Sequence, residues 1–336
     1  MVYSFRKRVA WQFIQSWVDG GKGSSRKRVS RTCDRGYLGL IPCITSPIHT
    51  HKYTKTIFFI YDWGMVSLES YLDQQLAQGR ACFSKEEARG SLGLSPSAFA
   101  AAAHRLVKKR KLVNARHEFY LILRPEDQSL GAPDPVRWID PLMQHQRIDY
   151  RVSLLRAAAF HGASHQAAMV FQIVVPKQLR LLEIGRHRLQ FIYQSPKIFE
   201  QANRPEWLDK IKTAEGFTKV AGVELTLLDC VRYFHKASGI DGVAQIVKDI
   251  GAKAVPRKLA KIAGFYENSA VRRLGYMLDL AGHSRQSEAL EPFAVQAKSF
   301  KPLDPAIRPI LETSAEAAEK NIKWCLTIHE PVEVDF

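Results

Sequence analysis

The sequence predicts an α+β protein in two parts, a small helix-and-hairpin domain followed by a larger mixed α/β domain with strands first and a helical run after. Three observations carry this expectation. Apolar residues recur every three or four positions over 67–108, and two alternating stretches follow at 112–114 and 118–123. Residues 125–135, rich in Pro, Gly, Asp and Ser, then break the pattern and mark a domain boundary. Beyond it, strand patterns precede Ala221 and helical patterns follow Glu224, which argues against a doubly wound sheet.

The elements are expected as follows. Ser67 is placed to cap a first helix whose apolar side includes Leu68, Tyr71, Leu72 and Leu76, and Gly79 stops it. Ala81-Cys82-Phe83 is a short extended piece. Ser84-Lys85-Glu86-Glu87 has the spacing of a capping box for a second helix ending near Gly93. Ser95-Pro96 supplies an N-cap with proline at the first helical position, opening a third helix through Ala98, Phe99, Ala102, Ala103, Leu106 and Val107. A hairpin with Ala115-Arg116-His117 at its tip closes the set. Helix, short strand, helix, tight turn, helix, hairpin is the order of a winged helix-turn-helix domain, assigned to 65–126.

In the remainder, 127–336, helices are expected over 136–146 and 150–161. A buried strand is expected over 169–175, a hairpin from 179–184 with 189–193, and a strand over 217–221. Four helices follow, over 225–234, 243–250, 256–266 and 269–280.

Charge is distributed unevenly. The chain of 336 residues has a formal net charge of +16, which suits an anionic partner without choosing among nucleic acid, acidic protein and membrane surface. Residues 1–64 hold eleven Lys/Arg against three Asp/Glu, a net +8, and 65–126 hold a net +4 in a segment that looks folded. The first 64 residues show no sustained apolar period, and they read as a disordered extension or as the product of a start codon assigned too early, with Met65 the native start. A basic arm gripping phosphates is the remaining alternative.

Five cysteines, Cys33, Cys43, Cys82, Cys230 and Cys325, are odd in number and lack a C-x-x-C pair, so reduced thiols in a cytoplasmic protein are expected. No apolar stretch approaches the ~20 residues that span a bilayer, and no membrane partner is expected.

The third helix is where chemistry is expected first. Burying Phe99, Ala102, Ala103 and Leu106 turns Ser95, Ser97, Ala100, Ala101, His104, Arg105 and Lys108 outward, where they can meet the major groove of double-stranded DNA. Small side chains let the backbone come close, Arg105 can reach guanine or phosphate, and Lys108, Lys109, Arg110 and Lys111 can hold phosphates at the helix end. Arg116 and His117 at the wing tip are expected to reach the next groove. A basic helix end also suits the helix dipole, and winged modules can dock proteins.

Elsewhere the signals are bland. His49-Thr50-His51 has metal-like spacing without further ligands, and His161 and His165 flank a turn without nearby Cys or carboxylate. Glu224 and Asp229 are expected near a helix start, complementing its dipole. Arg272-Arg273 can meet an acidic partner or face water. No phosphate-binding loop, nucleophile elbow or acid cluster appears, so no catalytic centre and no cofactor are expected.

Several stretches, in order, resemble the AbiEi family of antitoxins from abortive-infection toxin–antitoxin systems. They are Glu118-Phe119-Tyr120-Leu121-Ile122-Leu123-Arg124-Pro125-Glu126; Gly131-Ala132-Pro133-Asp134-Pro135-Val136-Arg137-Trp138; Tyr150-Arg151-Val152-Ser153-Leu154-Leu155-Arg156-Ala157-Ala158-Ala159-Phe160-His161-Gly162; Glu224-Leu225-Thr226-Leu227-Leu228-Asp229; and Arg272-Arg273-Leu274-Gly275-Tyr276-Met277-Leu278. The resemblance implies an N-terminal domain that binds inverted repeats in its own promoter and represses the operon. It also implies a C-terminal domain that neutralises, directly or indirectly, a nucleotidyltransferase-like toxin encoded beside it. Two departures stand out: winged helices commonly place glycine after the third helix, where this chain has Arg110-Lys111, and residues 1–64 match nothing in the family. The competing expectations are a transcriptional regulator of other genes with a ligand-sensing C-terminal domain, and a nuclease, for which the acids are lacking.

Overall fold

A computed structural model describes residues 67–163, 170–214, 216–307 and 319–333. The expectations for 1–64, Cys33, Cys43, His49, His51 and His165 lie outside the described residues.

The N-terminal elements are α1 (Leu68–Ala77), β1 (Cys82–Ser84), α2 (Lys85–Leu92), α3 (Pro96–Lys108), β2 (Leu112–Arg116) and β3 (Phe119–Ile122). Local signals account for their starts. Ser67, Ser84 and Ser95 each accept a backbone N–H, from Ser70, Glu87 and Ala98 at 3.1, 3.1 and 3.2 Å. The reciprocal half of the expected capping box is diverted, because the Glu87 carboxylate pairs with Arg80 at 2.5 Å. Tyr71, Phe83, Phe99, Leu106 and Ile122 meet in a core of their own, with the Phe83 and Tyr120 rings stacked and Phe99 edge-on to Tyr120.

The three strands form an antiparallel sheet in the order β1-β3-β2. Side chains alternate across it: Phe83, Tyr120 and Ile122 face the helices, while Cys82, Phe119 and Leu121 enter the large core of the following residues. The hairpin turn is His117-Glu118 rather than 115–117, between paired Arg116 and Phe119, with φ of 49° and 61° at its two residues. Two left-handed residues in a two-residue loop suit the twist of the flanking strands.

The connector leads through α4 (Pro135–His145) to a six-stranded mixed sheet in the order β6-β7-β5-β4-β9-β8. Its strands are β4 (Arg151–Val152), β5 (Val170–Val175), β6 (Leu182–Ile184), β7 (His187–Tyr193), β8 (Leu208–Thr213) and β9 (Gly216–Ala221), with α5 (Leu154–Phe160) and α6 (Pro196–Ala202) between them. The single helix expected over 150–161 is thus a strand followed by a helix, because Val152 pairs between β5 and β9 in the sheet interior.

A helical run follows: α7 (Val223–Arg232), α8 (Gly239–Ile250), α9 (Pro256–Ala263), α10 (Asn268–Leu280), α11 (Ser284–Glu288) and α12 (Glu291–Val295). Helix α7 is the hub, with every residue from Glu224 to Val231 buried. A small sheet, β10 (Lys301–Pro302), β12 (Leu326–Ile328) and β11 (Glu319–Asn321), ends the described chain. Among the described residues no helix is long and apolar enough to cross a membrane, and Cys82, Cys230 and Cys325 form no disulfide.

Candidate nucleic-acid interface

Helix α3 is anchored by Phe99, Ala103 and Leu106, which are buried, and its opposite side is open to solvent. Ser95, Ser97, Ala101, His104, Arg105, Lys108 and Lys109 are all exposed, as is Val107. The Ser95 hydroxyl is occupied by the cap and lies 3.1 Å from that of Ser97. No acidic side chain among the described residues pairs with His104, Arg105, Lys108 or Arg110. Lys109 and Lys111 both donate to Glu69 of α1, at 3.3 and 2.7 Å, and these two lysines hold the Glu69 carboxyl below its usual range. Glu69 lies in the first turn of α1, and its pairing across 40 residues of chain leaves no trace in spacing.

The departure at Arg110-Lys111 has a geometric explanation. Arg110 takes the left-handed conformation that glycine usually supplies after a helix, with φ of 52°. The Arg110 N–H donates to the Val107 carbonyl and the Lys111 N–H to that of Leu106, both at 3.0 Å. This pair of bonds satisfies the last carbonyls of α3 and sends the chain into β2.

The hairpin is committed to the other side of the molecule. Arg116 donates from Nη2 to the Arg180 carbonyl at 2.9 Å, its guanidinium lies 5.4 Å from the Phe191 ring centre, and burial lowers its pKa. The His117 carbonyl lies 2.9 Å from His145 Nε2, and the Phe119 and His145 rings are 5.5 Å apart. Arg116 is therefore turned toward the six-stranded sheet, not out to a second groove, while His117 and Glu118 of the turn are exposed.

Arg272 and Arg273 are also turned inward, at 3% and 9% exposure, and so face neither an acidic partner nor water. Arg272 donates to the Ser299 and Cys325 carbonyls at 3.1 and 2.8 Å, and Arg273 to that of Pro302 at 3.1 Å, tying α10 to the C-terminal strands. Gly275 of the same motif touches the Trp324 indole so closely that an added Cβ would fall 2.1 Å from the ring.

Asp229 sits in the middle of α7, not at its start, and is fully buried. Its oxygens accept from Arg151 Nε and Nη2 at 3.0 Å each, from Ser153 Oγ at 2.6 Å and from Tyr266 OH at 2.6 Å. Burial and the adjacent Asp229 charge push the Tyr266 hydroxyl well above its usual range. Glu224, buried as well, accepts the Val255 N–H at 2.8 Å and pairs with Lys258 at 3.1 Å. Among the described residues no group of three or more His, Cys, Asp and Glu is placed to hold a metal ion.

Fold and site together define a mixed α+β protein with one exposed, cation-tipped helix and a polar network sealed inside its larger part. Residues 151–280 match the family model described as the AbiEi antitoxin C-terminal domain. The fold is similar to that in a crystal structure of RV2827C protein from Mycobacterium tuberculosis, with a TM-score of 0.54 and 15% identity over 77% of this chain and 90% of that one. No curated protein matches the chain.

Proposed function

We propose that residues 65–126 are a winged helix-turn-helix domain that reads double-stranded DNA through α3, and that 127–336 form an antitoxin domain. The protein then represses its own operon at inverted repeats and neutralises, directly or indirectly, a nucleotidyltransferase-like toxin encoded beside it. The observation that carries the DNA half is the solvent face of α3, where Ser97, Ala101, His104, Arg105 and Lys108 are exposed together. Small residues near the N-terminus of such a helix permit close approach to base edges, and the cations at its end match phosphates. The family match over 151–280 supports the antitoxin half.

Gel shift of the full chain on its own upstream DNA tests the first half. Arg105→Ala is expected to weaken binding by about 1–3 kcal/mol if Arg105 reads guanine, and Lys108→Ala to reduce the slope of log K against log salt by ~0.9. No shift at low salt would end this reading. For the second half, co-expression with the neighbouring toxin gene is expected to restore growth, and failure to do so would refute it.

A further inference from the structure

We propose that a basic cleft between the connector and the β6–β7 turn binds a small ligand carrying a pyrophosphoryl group, at a site separate from α3. The cleft measures about 390 Å³, within the ~300–1,000 Å³ typical of small-molecule sites, and Arg156, Arg186 and Arg188 line it.

Each arginine is held in a different way. The Arg156 guanidinium lies over the Phe160 and Phe171 rings, 4.9 and 5.5 Å from their centres. Its Nε is buried with no hydrogen-bond partner among the described residues, and its nearest carboxylate, Asp134, is 3.5 Å away and half exposed. A guanidinium held against two rings, with its side chain 26% exposed, can offer its outer nitrogens to an added oxyanion. Arg186 leaves a turn that cannot shift: its N–H donates to the Leu130 carbonyl at 2.7 Å, and a Cβ on Gly185 would fall 2.0 Å from that same oxygen. Arg188, paired with the exposed Glu183 at 2.9 Å, also lines an adjoining cleft of about 330 Å³ beside Lys236.

Three guanidiniums against two half-exposed carboxylates leave the cleft cationic. Planar guanidinium forks match phosphate oxygens in pairs, and a site continuing past Arg188 to Lys236 has room for two linked phosphates. Leu130, Asp134 and Pro135 of the connector form part of the wall, so an occupant would touch the segment joining the two proposed domains. The inference does not rest on DNA binding.

The test is calorimetric titration of the full chain with sodium pyrophosphate and, separately, ATP, each against a sulfate control of matched ionic strength. Saturable binding with one ligand per chain is expected for pyrophosphate or ATP and not for sulfate. Arg186→Gln, at an exposed position, and Arg156→Gln are expected to weaken it on the order of tenfold or more, with Arg105→Gln leaving it unchanged. If Arg156→Gln fails to fold, Arg186→Gln combined with Arg188→Gln decides the matter. Absence of saturation at millimolar ligand, wild-type affinity in the Arg186/Arg188 double variant, or loss of binding in Arg105→Gln would overturn the proposal. Should promoter DNA binding depend on Arg186 while pyrophosphate does not bind, the arginines belong to a nucleic-acid surface and the proposal falls.

Discussion

Replacing Arg110 by glycine should relieve backbone strain and leave the protein more stable than replacing it by alanine. Arg110 has φ of 52° just past the end of α3, and the bond from the Lys111 N–H to the Leu106 carbonyl requires that conformation. A left-handed L-residue costs roughly 1–2 kcal/mol, and glycine returns about 0.5–1 of that through its greater freedom in the unfolded chain. The gain from relieved strain is about 0.5–1 kcal/mol, or roughly 2 °C in Tm for a folded unit of this size. Arg110→Ala is the control, since it removes the same exposed charge and keeps the strained backbone. Both variants also lose a cation near the negative end of the helix dipole, worth ~0.3–1 kcal/mol, so alanine should sit below the parent and glycine close to the parent, about 0.5–1 kcal/mol above alanine. Thermal and urea melts of the full chain measure this. If Arg110 meets a phosphate, both variants should lower the salt slope of DNA binding by ~0.9. A glycine variant no more stable than the alanine one would refute the strain argument.

Three further perturbations probe other parts of the molecule. Asp229→Leu leaves Arg151 charged in a dry core and is expected to cost about 3–5 kcal/mol, most of it recovered by adding Arg151→Met; a single variant as mild as a surface change would contradict the network. Gly275→Ala forces a methyl into the Trp324 ring, and the overpacking of about 1–3 kcal/mol should outweigh the ~1 kcal/mol gain in helix propensity; a raised melting temperature would be the wrong sign. Glu69→Gln frees Lys109 and Lys111, so promoter affinity should rise and its salt dependence steepen, whereas unchanged binding would mean that these lysines do not face phosphate.

What the sequence disclosed depended on how local the cause was. Ser67, Ser84 and Ser95 act within three residues of themselves, and each caps where expected. Strand β4 was hidden because Arg151 looks like a surface residue until Asp229, 78 positions away, is brought beside it. Strand β8 was missed because Asp209, Lys210 and Lys212 interrupt its apolar residues, as suits a sheet edge kept free of pairing. The exposed face of α3 followed from helical period alone, but the fate of Arg116 did not. One signal was available: Phe119-Tyr120-Leu121-Ile122 is apolar at every position, the mark of a strand covered on both sides.

The stretches that carry the family likeness meet inside the molecule. Arg151, Ser153 and Asp229, from two of them, form the sealed network; Arg272, Arg273 and Gly275, from a third, fasten the C-terminal strands; and Phe119 and Leu121, from a fourth, insert the hairpin sheet into the larger core. What these residues have in common is a scaffold role, because each is buried and its contacts are with other parts of the protein. On the proposed DNA reading, discrimination among operators falls to residues outside those stretches, on α3, where exposure leaves side chains free to vary without cost to the core. The hairpin adds a mechanical consequence. Since one face of its sheet supports α3 and the other is packed against the larger core, the pose of α3 is set by the whole unit, and a change at the connector would reach α3 through that sheet.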